Sequence, residues 1–338
     1  MPDISVLMSV YNGERFLKQA IESILAQSFS NFEFIIINDG STDQSGEMIK
    51  SYEEKDRRIV FIDQDNQGLI AALNTGIDVA NADLIARMDA DDIAHPERLA
   101  KQYAYMQEHQ NTLALGSAVN VIDDQGIEKL HVTYPVKEDV KHYLINQGSP
   151  LAHPATMFRK VAVQSLGGYR KAYKHAEDYD LWLRLSKQGD IDNLNEPLLQ
   201  YREHDQKISV QNAYQQALVS VVARHAAQQD IDPTDELEQI AIDTLKLFDT
   251  DPVKMQWEIV DIMASGLLMS ATKSNISSVM QYMPRTFSAP SKTPATRALL
   301  KFSIAHYKCK SWLKALSYAV CAFFVSPAAT IHLVSSKL

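Results

Sequence analysis

A chain of 338 residues, 46% hydrophobic and 22% charged, is long enough to bury the core of one large or two ordinary domains. Twelve Gly and twelve Pro exclude collagen-like or low-complexity architecture, and two cysteines, Cys309 and Cys321, exclude a disulfide framework or a CxxC metal site and point to a reducing, cytosolic compartment. The formal net charge of −9 leaves no general nucleic-acid footprint, so no nucleic-acid partner is expected.

The elements follow in chain order. Ile4–Val10 is a short apolar run, too short and without the basic flank of a secretory leader, and it ends on the turn signal Tyr11-Asn12-Gly13. Phe16, Leu17, Ala20, Ile21, Ile24 and Leu25 then fall on one face of a helix. Residues 32–37 read as a buried strand closed by Asn38-Asp39-Gly40, and Ser41-Thr42-Asp43 supplies capping side chains for a helix to about Lys55. A strand over 59–62, a helix over 69–80 and a strand over 84–88 complete β-α-β-α-β-α-β, which short connections convert into a parallel sheet covered on both faces. From Pro96 a helix runs to about His109. A strand over 113–122 precedes the turn Asp123-Asp124-Gln125-Gly126, and a strand over 156–158, a helix over 176–187 and a strand over 198–202 follow, making the body a mixed α/β sheet. Beyond Ser209 the patterns are mostly helical, broken near Pro233, Pro252, Pro284, Pro290 and Pro294. The expected domains are therefore 1–208 and 209–338.

Three successive strand ends carry polar clusters: Tyr11-Asn12-Gly13-Glu14, Asn38-Asp39-Gly40-Ser41-Thr42-Asp43 and Asp89-Ala90-Asp91-Asp92. In an open parallel sheet, ligands sit beyond the carboxyl ends of the strands. Asp39 has two readings, an acceptor for a base or ribose or a turn and helix cap. Three carboxylates within four residues repel one another unless a cation or donors compensate, and such hard oxygen ligands suit Mg2+ or Mn2+ shared with substrate phosphates. The alternative is an acidic turn capping the helix after Pro96.

The ordered set of motifs resembles the family 2 glycosyltransferases of the GT-A fold. It comprises Ser5-Val6-Leu7-Met8-Ser9-Val10-Tyr11-Asn12-Gly13-Glu14, Ile37 to Asp43, Asn66-Gln67-Gly68 with Asn74-Thr75-Gly76, Met88 to Asp92, Gly167-Gly168-Tyr169, and Glu177-Asp178-Tyr179-Asp180-Leu181-Trp182-Leu183-Arg184. The resemblance covers roughly residues 4–205 and implies a Rossmann-like mixed sheet followed by a helical C-terminal region. It also implies an inverting transferase using a nucleotide sugar, with UDP the expected nucleotide and a saccharide or lipid-linked saccharide as acceptor in cell-surface polysaccharide assembly. Ser9, Tyr11 and Glu14 would lie around the base, Asp39 would hold a pyrimidine, and Arg87 could line the same pocket or form a structural ion pair. Asp89 and Asp91 match the D-x-D motif, the first toward ribose and diphosphate and the second toward the metal. Asp178 matches the catalytic base, and His204 falls where the family often places a histidine near metal or diphosphate. His153 reads as a loop residue on the acceptor side, Trp182 as core, and Asp180 as facing elsewhere and tolerant of change. Phosphatases of the haloacid dehalogenase type and receiver domains place their acidic pair after the first strand, where this chain has Tyr11-Asn12, so both fail on order. A catalytically silent nucleotide-sugar-binding module is the remaining alternative.

The tail has a different character. None of the 42 acidic residues and nine of the 33 basic ones lie after Asp261, so residues 1–261 carry −18 and the remainder +9. Residues 312–334 are largely apolar, yet Lys314, Pro327 and His332 argue against a clean transmembrane helix. With Lys301, Lys308 and Lys310 upstream, the segment 297–338 is expected to hold a cytoplasmic enzyme peripherally on an anionic inner-membrane face. A helix packed on the body or on another subunit is the alternative.

Overall fold

The computed structural model describes residues 1–204, 213–229 and 260. The chain forms two compact units, Met1–Lys207 and Ile208–Leu338. In the first, the alternating pattern produces β1 (Ile4–Val10), α1 (Glu14–Leu25), β2 (Phe32–Asp39), α2 (Ser45–Glu53), β3 (Ile59–Gln64), α3 (Leu69–Val79) and β4 (Leu84–Asp89). Strands β3, β2, β1 and β4 lie side by side and parallel, as the short connections require.

The second half of the unit is mixed. It contains β5 (Ile93–Ala94), α4 (Arg98–Glu108), β6 (Thr112–Ile122), β7 (Glu128–Val132), α5 (Glu138–Asn146), β8 (Met157–Arg159), α6 (Lys160–Ser165), α7 (Glu177–Leu185) and β9 (Asp190–Arg202). Strand β8 joins β4 antiparallel and carries the sheet on to β6, β9 and β5, while β7 forms a hairpin with β6. Three differences from the sequence reading stand out. Strand β9 begins at Asp190 rather than 198, and β7 and α5 occupy a stretch left without elements. Helix α4 begins at Arg98 after β5, so the acidic turn 89–92 does not cap it.

Strand alternation sorts the residues onto two faces. Val6, Met8 and Val10 of β1, Phe34 and Ile36 of β2, and Ala86 and Met88 of β4 pack with Leu17, Ala20, Ile21 and Ile24 of α1 and Leu99 and Met106 of α4 in one buried cluster. Burying each large aliphatic side chain contributes about 1.5–3 kcal/mol. The opposite face belongs to α3. A Cβ on Gly76 would lie 2.0 Å from the Leu7 Cδ1 atom, so the helix approaches β1 closely only because residue 76 is glycine. Ser9, Asp39, Arg87 and Asp89 fall on this second face, since Ser9 pairs in register with both Ile37 and Asp89.

One connection is pinned at both ends. The Nδ2 of Asn193, buried in β9, donates to the carbonyls of Pro135 (2.8 Å) and Pro150 (2.9 Å), where the excursion bearing α5 leaves and rejoins the body. Beside it, the Oδ1 of Asp192 accepts the Lys137 N–H at 2.6 Å.

In the second unit, α8 (Ala213–Gln229) is helical, with Ala217, Leu218, Val221 and Val222 among its buried residues. The other expected helices and the basic tail 297–338 lie outside the described residues. No helix among the described residues is long and apolar enough to cross a membrane.

Candidate active site

The carboxyl ends of β1, β2 and β4 carry the polar clusters, and their turns lock together. Asn12, in the left-handed region at φ 52°, receives the Thr42 N–H on its Oδ1 (2.8 Å) and donates its own N–H to Ser41 Oγ (3.0 Å). The Glu14 carboxylate accepts the Gln44 N–H (3.0 Å), while the Glu14 N–H meets the Asp43 carboxylate (3.1 Å). Glu14 thereby ties the start of α1 to the start of α2. Tyr11, 55% exposed, projects from the end of β1, and Ser9 lies half-buried beside Asp89.

Asp39 is only 2% exposed, and both of its oxygens are engaged. They accept Gln64 Nε2 (2.7 Å), the Gln67 N–H (2.9 Å) and the Gly68 N–H (2.8 Å). Asp39 does serve a turn, but the one that opens α3 rather than α2.

Beyond β4, Asp89, Asp91 and Asp92 can each present a carboxylate oxygen within 4.8 Å of the others. Asp91 Oδ2 lies 2.9 Å from His204 Nε2, and Asp92, fully buried, accepts the Arg202 N–H at 2.8 Å. Three convergent oxygen donors of this hard type fit Mg2+ or Mn2+. Arg202 shapes the loop further: its Nε donates to the Asp91 carbonyl, its Nη1 to the Asp123 carbonyl and its Nη2 to Gln19, with the guanidinium 4.5 Å above the Phe16 ring.

Arg87 is the buried centre of the site, 3% exposed. Its Nη2 pairs with Asp89 at 2.5 Å, while Nε and Nη1 have no hydrogen-bond partner among the described residues. Burial disfavours its charge, but Asp89 and the neighbouring acids outweigh that and raise its pKa. Glu177 and Asp178, in the first turn of α7, lie close enough to feel its charge. Burial pushes Asp178 up to about 6 against the opposing pull of backbone N–H groups and Arg87. Glu177 rises to about 7, first through burial and then through the charge of Asp178. His175, left-handed at φ 78°, turns the chain so that its N–H meets the Glu177 carboxylate. His153 completes the surroundings, its Nε2 2.7 Å from the Tyr169 hydroxyl; burial first, and Arg87 second, hold its pKa well below 6.5 and keep it neutral.

This arrangement, acids beyond β4 and a carboxylate pair on α7 that both feel the charge of a buried arginine, can be set beside known proteins. A model described as glycosyl transferase family 2 matches residues 5–167. The O-antigen biosynthesis glycosyltransferase WbnJ of Escherichia coli is 38% identical over 211 residues, which is 60% of this chain and 80% of WbnJ. The chain belongs to glycosyl transferase family 2. It is a glycosyltransferase, and its α/β sheet is of the GT-A type. Among solved structures, Staphylococcus aureus TarS 1–349 in complex with UDP-GlcNAc aligns with a TM-score of 0.53 and 14% identity, covering 96% of this chain and 91% of that one. The mannosyltransferase PcManGT of Pyrobaculum calidifontis, in complex with GDP-Man and Mn2+, aligns with a TM-score of 0.55 and 13% identity over 96% and 88% of the two chains.

Within this family 2 chain, the fold brings Ser9, Asp39, Arg87, Asp89, Asp91, Asp178 and His204 to one end of the sheet, with Trp182 buried in the core as expected. Asp180 departs from expectation. It is buried and bonds Arg170 and Arg184 together, the latter at 2.7 Å, so it is a structural anchor and not a tolerant surface position. Sequence reasoning also passed over Arg98, fully buried, whose Nη2 donates to the carbonyls of Arg87 (2.6 Å) and Thr156 (3.2 Å). A basic residue at the start of an amphipathic helix carries no outward mark of such a role.

Proposed function

We propose that this glycosyltransferase is metal-dependent and inverting, and that it moves a sugar from a UDP-sugar to a hydroxyl of a saccharide or lipid-linked saccharide in cell-surface polysaccharide assembly. The meeting of the β4 acids with the Glu177–Asp178 pair around Arg87 carries this reading. The donor class is supported by the UDP-GlcNAc of TarS and the GDP-Man of PcManGT, and the pathway by the O-antigen role named for WbnJ.

Asp91, with Asp89 and Asp92, would hold Mn2+ or Mg2+, with His204 against Asp91 in the same group. A divalent cation there supplies charge to neutralise the leaving diphosphate. Ser9 and Tyr11 flank the nucleotide base, Asp39 shapes the turn beneath it through Gly68, and Glu14 keeps the two helix starts in place. Arg87 orients Asp89 and favours the ionised form of Asp178. With its pKa near 6, Asp178 is ionised at neutral pH and still basic enough to take the proton of the attacking hydroxyl. Attack from the face opposite the diphosphate inverts the anomeric centre. The basic segment 297–338 would hold the enzyme on an anionic membrane face.

The test is nucleotide release from UDP-glucose, UDP-GlcNAc and GDP-mannose with Mn2+, with Mg2+ or with a chelator. Release from UDP-sugars that stops on chelation supports the reading. Chelator-insensitive release removes the metal, and release from GDP-mannose alone removes the UDP assignment.

A further inference from the structure

We propose that Asn74 is a positioning residue for the transfer step: it sets the Gly168-Tyr169 loop and, through that loop, the start of α7. The inference rests on the reading of Asp178 as the base. Asn74 lies on α3 and uses both ends of its amide on one distant residue. Its Oδ1 accepts the Tyr169 N–H at 2.9 Å, and its Nδ2 donates to the Tyr169 carbonyl at 2.9 Å, across 95 residues of sequence. The amide thus pairs with the N–H and the C=O of a single residue much as a neighbouring strand would, and fixes the two peptide units that flank Tyr169.

The loop is built around this pair. Gly168 sits at φ 71°, and a Cβ there would lie 2.5 Å from Asn74 Oδ1, so only glycine lets the loop approach. The preceding carbonyls are taken by α7: Arg184 donates its Nη2 to the Gly168 carbonyl (2.8 Å) and its Nη1 to the Leu166 carbonyl (3.0 Å), while Asp180 holds Arg184. One loop therefore connects α3 to α7. Tyr169, 2% exposed, places its hydroxyl on His153, and its ring shares the pocket of Arg87, Asp178 and Glu177.

Helix α3 is itself hung from Asp39, which accepts the Gly68 N–H at its start. The same helix that begins at the nucleotide-side carboxylate thus ends its reach, at Asn74, on the loop that flanks the base. Asn74 touches neither donor nor acceptor in this scheme. It acts by keeping the base-bearing turn in register with the nucleotide side, where displacement of about 1 Å can lower a rate ~10²-fold.

The experiment uses the full chain and reads UDP release from UDP-glucose and UDP-GlcNAc with Mn2+, water serving as acceptor, together with UDP affinity by calorimetry and thermal unfolding. Asn74→Ala, assayed well below its melting temperature, is expected to lower kcat about 10²-fold with KM for the donor and UDP affinity unchanged. Asn74→Asp keeps an acceptor for the Tyr169 N–H but sets a carboxylate oxygen against the Tyr169 carbonyl, so its kcat should fall at least as far as that of Asn74→Ala, again with UDP affinity unchanged. That variant also carries the test if Asn74→Ala does not fold. Wild-type kcat in the folded variants overturns the proposal, as does a loss of UDP affinity that matches the loss of rate. Asp178→Asn is the control. If it retains full turnover, the base assignment has failed; if it is inactive while Asn74→Ala is not, only the present inference has failed.

Discussion

Replacing Asp178 by Asn removes a charge while nearly keeping the shape, and stability and rate should move in opposite directions. The folded protein raises this carboxyl from 3.8 to about 6, which corresponds to about 3 kcal/mol against the ionised form, an upper limit because the group is only half-buried and solvent screens its open edge. The sign follows from linkage. A folded pKa above the unfolded one means that stability is greatest below pH 3.8, falls as pH rises toward 6 and is flat beyond. Asn carries no such penalty, so Asp178→Asn should stabilise the protein by up to ~3 kcal/mol at pH 7.5 and by about half of that at pH 5. Urea unfolding at the two pH values measures the difference. The same variant should lose about 10²–10⁴-fold in transfer, the typical contribution of a general base, and the wild-type rate should fall on the acid side of about pH 6. Unchanged stability at both pH values together with near-full turnover would refute the picture of a buried, ionised base.

Asp91→Ala should abolish Mn2+-dependent UDP binding in a calorimetric titration while the unfolding transition survives, because the side chain lies at the end of the sheet, against His204 and the other acids of its cluster, and outside the apolar core. Asp180→Asn should behave in the opposite manner, destabilising the fold by about 1–3 kcal/mol in urea, since it removes the buried carboxylate that the partly buried Arg170 and Arg184 share. Truncation after Ser311 should release the protein from anionic liposomes in a flotation assay with nucleotide release intact. Equal flotation of both chains removes the anchor.

The parallel half of the sheet was legible because its central strands are covered on both faces and so read as largely apolar runs between turn signals, as in Phe34-Ile35-Ile36-Ile37. The first part of β9 was not. Asp190-Ile191-Asp192-Asn193-Leu194-Asn195-Glu196-Pro197 lacks alternation, and it pairs with β6 through register shifts on either side of Pro197. Helix α5 buries only Val140 and Leu144, too little for a periodic signal. At the site, residues whose chemistry is local stood out, as the three acids after β4 did. Arg98, Arg202 and Asp180 did not, because a charged side chain in an amphipathic segment reads as solvated until the fold supplies its buried partners. Asn74 stood within a motif but without a role, because its partner lies 95 residues away.

Because a single amide, that of Asn193, grips the chain at Pro135 and Pro150, the fourteen or so residues between behave as a closed loop whose ends the body holds in place. Lengthening such a loop raises its closure cost only logarithmically, by about 0.6 kcal/mol for each doubling. The excursion bearing α5 can therefore change in length and sequence with little penalty to the sheet, provided that Val140 and Leu144 keep an apolar face and Leu144 keeps its carbonyl on the Tyr179 hydroxyl of α7. The body and the excursion are thus free to diverge at different rates, with transfer chemistry retained in one and surface variation accumulating in the other.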